Sequence, residues 1–344
     1  IDEDRLARNI ARAQAYMVSI GRAFRPHIKT HKLASVAQMQ IAHGAAGINC
    51  QKVTEAEAFA DAGFDDILIT YNILGAAKLT RLAALNDRLS LLRVVADSEA
   101  TATGLAAHFR PDRPLRVLVE CDTGGGRVGV QTPEAAVALA RVIAAHPGLR
   151  FDGLLTYPAV GGAAQVEAFL TAAMAGLAAV GLPCSVRSNG GSPDLWQAHL
   201  VPSATEHRAG TYVYNDRSMV RAGECAAEDL AMHVLATVVS RPTATRAVID
   251  AGSKTLSSDL LGFPDHGEIE GLAGARVVSL SEEHGVVDLG RCTGPLPQVG
   301  DQVRVVQRVR QVVQRAAQIG VAQLEDMGGV GRKARQVQVV VHKH

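Results

Sequence analysis

No CxxC pair occurs in this chain. Its five cysteines, Cys50, Cys121, Cys184, Cys225 and Cys292, are scattered and odd in number, which reads as reduced thiols in a cytoplasmic protein and excludes a disulfide scaffold. Excess charge is also missing. Lys+Arg is 35 against Asp+Glu 34, a net charge of +1, so nothing electrostatic calls for nucleic acid or an anionic membrane as partner. No apolar run reaches the length of a membrane span. The nearest, AFLTAAMAGLAAVGLP (168–183), is rich in Ala and Gly, ends at a proline, and reads as a packed helix. A signal peptide is lacking at the start. The chain opens instead on IDEDRLARNIARAQAYM, with acids in the first turn and apolar residues at helical spacing. Starting directly on a helix suggests that residues precede Ile1.

What is present is a large apolar fraction, 47% hydrophobic against 20% charged over 344 residues. That is enough for sizeable cores and comfortable for two domains. From residue 24 short β-branched runs alternate with helical patterns. Strands are expected near 24–29, 47–51, 66–70, 93–96, 116–121, 152–157, 185–190 and 205–210, with helices between them. Alternation of this kind implies a parallel sheet, and eight units in about 200 residues fit a (β/α)8 TIM-like barrel better than an open sheet. From residue 225 the helical rhythm stops. HVLATVVSRP, TRAVIDAG, ARVVSLSEEHGVVDL and DQVRVVQRV read as strands between Gly, Pro and Asp turns. The expected fold is therefore α/β, a (β/α)8 barrel over 1–224 followed by an all-β second domain over 225–344.

Chemistry in such a barrel sits at the C-terminal ends of the strands. RPHIKTHK (25–32) sets two lysines and two histidines around the end of the first strand. A lysine there, Lys29, points into the mouth among apolar walls, where desolvation favours a neutral amine able to form an imine with an aldehyde. A snorkelling surface lysine is the bland alternative; the strand position and flanking histidines weigh against it. SNGGSP (188–193) is a Gly-rich loop able to cradle a phosphate with backbone N–H groups. RAGTY (208–212) offers a second such loop at the next strand end, and DTGGGRVGV (122–130) adds flexible glycines and Arg127. An imine-forming lysine, a phosphate cradle and an aldehyde-sized pocket together suggest pyridoxal 5′-phosphate.

In unbroken order, RPHIKTHK, GINCQKVTEAEAFADAGFDDILIT, DTGGGRVGV, TYP, NGGSP, TEHRAGTYVYND, VIDAGSKTLSSD and LSEEHGVVDL resemble the D-threonine aldolase / D-serine dehydratase family. The resemblance implies an alanine-racemase-like fold, a PLP-binding barrel plus a β domain, usually a homodimer acting on D-β-hydroxy-α-amino acids. By the same resemblance Lys29 is the cofactor lysine and Gln51 lies beside the ring. Arg127 or Tyr157 approaches the pyridine nitrogen or its face. Ser188, Asn189, Gly190, Gly191 and Ser192, with Gly210, Thr211 and Tyr212, hold the phosphate, and His284 of EEHG faces the barrel mouth.

A divalent metal (Mn, Zn or Mg) is implied too, but the family's ligand positions carry Val309 and Gln311 here, and neither can ligate. Where a histidine is usual after Tyr157, this chain has Ala159, Gly161 and Gly162. The implied activity is retro-aldol cleavage to glycine and an aldehyde. D-serine or D-3-hydroxyaspartate dehydration is the alternative. A racemase would need a second base, typically a tyrosine of the β domain, and all five tyrosines precede residue 215.

Overall fold

The computed structural model describes residues 1–260 and 262–307. Their contacts divide into two compact units, Ile10–Gly210 on one side and Ile1–Asn9 with Thr211 onward on the other. The first unit holds eight parallel strands: β1 (Ala23–Pro26), β2 (Ile48–Cys50), β3 (Asp66–Ile69), β4 (Leu91–Ala96), β5 (Leu115–Cys121), β6 (Leu149–Thr156), β7 (Val186–Asn189) and β8 (Glu206–Ala209). They neighbour one another in the order β1-β8-β7-β6-β5-β4-β3-β2. A parallel bridge between His27 and Asn49 links the β1 and β2 ends of that order and makes the sheet a barrel.

Side chains alternate along each strand. Leu68, Val95, Leu118 and Leu155, from β3, β4, β5 and β6, form one small buried cluster with Val186 against it. The residues beside them in sequence, such as Ile67, Ile69, Val94, Val117, Val119 and Leu154, belong to a separate, larger cluster with the helices. That two-sided burial is why these strands read as nearly continuous apolar runs. Outside lie α1 (Glu3–Ser19), whose first residues count with the second unit, α2 (Ala34–Ala42), α3 (Val53–Asp61), α4 (Ala76–Arg88), α5 (Glu99–Ala106), α6 (Pro133–Ala145) and α7 (Ala163–Ala179). Two of them start on ordinary capping chemistry: Ser98 accepts from the Thr101 N–H at α5, and Thr132 from the Ala135 N–H at α6, with Pro133 in the first turn. Among the described residues no helix is long and apolar enough to cross a membrane.

The second unit opens with the short helix α8 (Arg217–Arg221). It continues into β9 (Val234–Thr243), β10 (Arg246–Ile249), β11 (Gly267–Ile269), β12 (Arg276–Leu280), β13 (Gly285–Asp288) and β14 (Gln302–Val306). These close into an antiparallel barrel in the order β10-β13-β12-β11-β14-β9 around Val238, Ile249, Leu256, Val277, Val287 and Val305. Strand β11 has three residues in a Gly/Pro/Asp-rich stretch and carries no alternation readable from sequence. The contacts part at Gly210/Thr211, ahead of the expected 224/225. The reason lies in local bonds: Asp2 N–H donates to the Ala231 carbonyl (2.8 Å), Asn9 Nδ2 to the Asp229 carbonyl (2.8 Å), and Arg5 to Glu270 (3.0 Å). The stretch after Thr211 and the first residues of the chain thus pack as part of the β unit.

Candidate active site

Strand β1 is shorter than the expected run 24–29. It ends at Pro26, and Lys29 stands on a three-residue 3-10 turn, Ile28–Thr30. His27 caps that turn: its Nδ1 accepts the Lys29 backbone N–H at 3.4 Å. The Lys29 amine donates to Gln51 Oε1 at 3.3 Å, and Gln51 follows directly on β2. The Gln51 backbone N–H is held by Glu55 (2.7 Å), which also binds Lys32 (2.7 Å). Two basic residues of RPHIKTHK are therefore committed elsewhere, Lys32 to Glu55 and Arg25 to the carboxylates of Glu206 and Asp66 (2.7 Å each). Both histidines are buried and uncharged. Burial holds His31 at about 4. Burial first, then the Lys29 amine and the Arg208 guanidinium, push His27 well below its ordinary value. The crowding of basic letters thus resolves into two ion-paired bases, two neutral rings and one lysine beside a neutral amide.

On the neighbouring strand of the same barrel, β8 carries Glu206 and Arg208 two residues apart, on one face. Ser188 of β7 joins them: its hydroxyl donates to Glu206 (2.6 Å) and accepts from Arg208 (2.7 Å). Arg208 also donates to the Thr156 carbonyl (2.9 Å). Burial brings Arg208 down to about 10. Against the penalty of its own burial, Glu206 is held below the usual carboxylate range by Arg25 and by the Ser188 hydroxyl. Glu120, at the C-terminal end of β5, is pushed by burial up to about 7, with Arg208 and Arg127 opposing.

The loop after β7 is shaped by its glycines. Gly190 has φ +101, and a β-carbon there would overlap the His207 ring. His207 in turn donates from Nε2 to the Gly191 carbonyl (3.1 Å). A β-carbon on Gly191 would come 2.8 Å from the Tyr157 ring, and one on Gly210 would come 2.6 Å from Thr30 Oγ1 and 2.9 Å from the His27 carbonyl. The Gly210 N–H donates to Ser192 Oγ (3.1 Å), which ties the two glycine loops together. Arg127 lies over the Tyr157 ring, 4.8 Å from its centre. Lys29, Gln51, Arg127, Tyr157 and the 188–192 and Gly210 positions all fall in the first unit. Ser188 differs from its expected place in the loop, because its hydroxyl is engaged inside the barrel. Thr211 and Tyr212 begin the second unit, on a 3-10 turn. His284 is exposed in the turn before β13, where its carbonyl accepts from the Ser281 N–H (2.9 Å).

Residues 1–218 match the family model described as "Alanine racemase, N-terminal domain", and residues 231–308 match a serine dehydratase domain model. The chain is 36% identical to the D-threo-3-hydroxyaspartate dehydratase of Delftia sp. (strain HT23), over 83% of this chain and 82% of that protein. The chain belongs to this family. Another member, the D-threonine aldolase of Arthrobacter sp., is 33% identical over 81% of this chain and 76% of its own length. The crystal structure of D-threonine aldolase from Filomicrobium marinum superposes with a TM-score of 0.83 at 30% identity, over 92% of this chain and 88% of that one.

Pyridoxal phosphate, the cofactor that the family resemblance implies, fits the residues present. The amine of Lys29 beside Gln51 suits its aldehyde. The loop at Gly190 and Gly191 leaves backbone uncovered where any side chain would collide with His207 or Tyr157. A metal does not find such a fit: among the described residues no three His, Cys, Asp or Glu side chains converge on one point, and Val309 and Gln311 lie outside the described residues. Sequence reasoning passed over Arg208, Glu206 and His27. The signal was available in TEHRAG, where two opposite charges two residues apart on a buried strand share one face and need each other.

Proposed function

We propose that this protein is a pyridoxal-phosphate-dependent lyase for D-β-hydroxy-α-amino acids, cleaving the Cα–Cβ bond to give glycine and an aldehyde. The observation that carries the reading is the Lys29 amine, held against Gln51 on a capped turn at the C-terminal end of β1. When bound, the cofactor supplies an electron sink for the pair left on Cα as the bond breaks. Lys29 would hold the cofactor through its amine. Gln51 accepts from the amine and aims it. Backbone groups of Gly190, Gly191 and Ser192, with Gly210 and its continuation into Thr211 and Tyr212, receive the phosphate. Tyr157 and the Arg127 guanidinium stacked on it wall the mouth, and Asn189 with the Ser188–Arg208 pair supports the floor. By the family resemblance, His284 is proposed as a catalytic residue, with an imidazole able to take up the substrate's β-hydroxyl proton as the aldehyde forms.

The phosphate assignment has a direct test. Valine at Gly191 would push on the Tyr157 ring, which is 43% exposed and free to swing outward. Gly191→Val should therefore weaken cofactor affinity about tenfold, roughly 1.4 kcal/mol, while the melting temperature moves by no more than about 4 °C. An absorbance titration of the cofactor-free protein reads the first and calorimetry the second; unchanged affinity would count against the cradle.

Dehydration is the second reading, favoured by the 36% identity to a hydroxyaspartate dehydratase. Ala159, Gly161 and Gly162 after Tyr157 leave a mouth lined by small residues, which suits an aldehyde leaving group better than a tightly gripped hydroxyl. Product analysis with D-threonine and D-serine side by side decides between them. Glycine and acetaldehyde from D-threonine are expected. A 2-oxo acid and ammonia without glycine would make the chain a dehydratase, and interconversion of enantiomers would overturn both.

A further inference from the structure

His27 faces the candidate site yet has no part in the chemistry proposed for it. The residue is 9% exposed. From its own turn it faces Lys29, from β8 Arg208, and from β2 the Gln51 side chain and the Asn49 backbone; these groups include two cations and no carboxylate. The Nδ1 lone pair is occupied by the Lys29 N–H. A ring so enclosed makes a poor proton shuttle, because the charged form would sit buried beside two positive groups. Its bonds point instead to geometry. The turn closes after Lys29 through the His31 and Lys32 N–H groups, which donate to the Ile28 carbonyl (3.1 and 2.7 Å), and the cap from His27 engages the Lys29 backbone N–H itself.

We propose that His27 is a positioning residue for Lys29: as a neutral imidazole it caps the turn that carries the lysine and keeps the space beside the amine free of negative charge. The second half matters because a carboxylate would serve as well as a cap. Placed beside Lys29, however, it would favour the ammonium form and delay the free amine that imine chemistry requires. Aspartate and asparagine are therefore alike as caps and unlike as neighbours. The inference rests on the reading of Lys29 as the cofactor lysine.

The test follows the reactivity of Lys29 in the cofactor-free protein, by trace acetylation and peptide mass analysis across the alkaline range, with circular dichroism monitoring the fold. Wild type, His27→Asn and His27→Asp are compared. His27→Asn should leave the apparent pKa of the amine within about half a unit, and His27→Asp should raise it by about one unit or more. His27→Ala, which removes the cap, should lose about tenfold in cofactor affinity where His27→Asn loses at most about threefold. Identical acetylation profiles for the Asn and Asp variants would overturn the proposal, and so would an Asn variant that departs from wild type as far as Asp does. Failure of the underlying reading shows separately: borohydride reduction of the wild-type protein with pyridoxal phosphate would then tag Lys32 or Lys52, while the acetylation profiles still judge His27.

Discussion

Replacing Lys29 by alanine should lower turnover by at least about a thousandfold and abolish the borohydride-stable tag that pyridoxal phosphate leaves on the wild-type chain. The neighbouring lysines are poor substitutes. Lys32 is ion-paired to Glu55 at 2.7 Å, so freeing its amine would leave that buried carboxylate without its cation. Lys52 is exposed at the start of α3, with water to solvate its charge. Lys29 stands against a neutral amide, on a turn whose cap is neutral, with buried strands on both sides. The variant should keep its fold, because Gln51, which accepts from the amine, retains a second bond to the Thr70 carbonyl (3.5 Å). Peptide mapping of the reduced wild-type adduct is the decisive measurement. A tag elsewhere, or an alanine variant with more than a few percent of wild-type turnover, would remove Lys29 from its role.

The eight-stranded rhythm was readable because the strands of a parallel barrel are buried on both faces and write themselves as apolar runs between helices. Ile67, Leu68 and Ile69 are all fully buried, although Leu68 belongs to one cluster and its neighbours to the other. What sequence could not give was the end of β1. RPHIK looks continuous as a strand, but the chain turns at Pro26, and only the bond from Lys29 N–H to His27 reveals why. Nor was the boundary between units visible at Gly210, since it depends on Asp2, Arg5 and Asn9 reaching partners more than two hundred residues away. The glycine loops were legible as loops. That Gly190 must lack a side chain because of His207 is a packing fact with no local signature. The ladder Arg25–Glu206–Ser188–Arg208 was hidden for the same reason: its members come from three strands distant in sequence and adjacent in the barrel.

Stability should fall steeply on mild acidification, for reasons set inside the barrel. Burial holds His31 and His207 at about 4, and holds His27 well below its ordinary value. In the unfolded chain each takes up a proton near 6.5. Below that pH the unfolded state binds protons that the folded state refuses, so their contribution is complete above about 6.5 and is lost as the pH falls toward 4. For His31 and His207 the full loss is of the order of 3 kcal/mol each. Glu120 works the other way. Its folded carboxyl titrates at about 7 and its unfolded one near 4.3, so the folded state binds the extra proton and its contribution grows as the pH falls. Three groups against one leave a net uptake of about two protons on unfolding near pH 5, a slope of roughly 2.7 kcal/mol per pH unit. All four groups lie in the unit Ile10–Gly210. Urea unfolding at about pH 7 and about pH 5 should show the difference directly. His31→Asn, which removes one titrating ring away from the candidate site's loops, should flatten the slope by about one proton's worth. Stability that stays level across this range, or that rises toward acid, would mean that the buried rings are charged in the folded protein, and the neutral surroundings ascribed to Lys29 would fall with them.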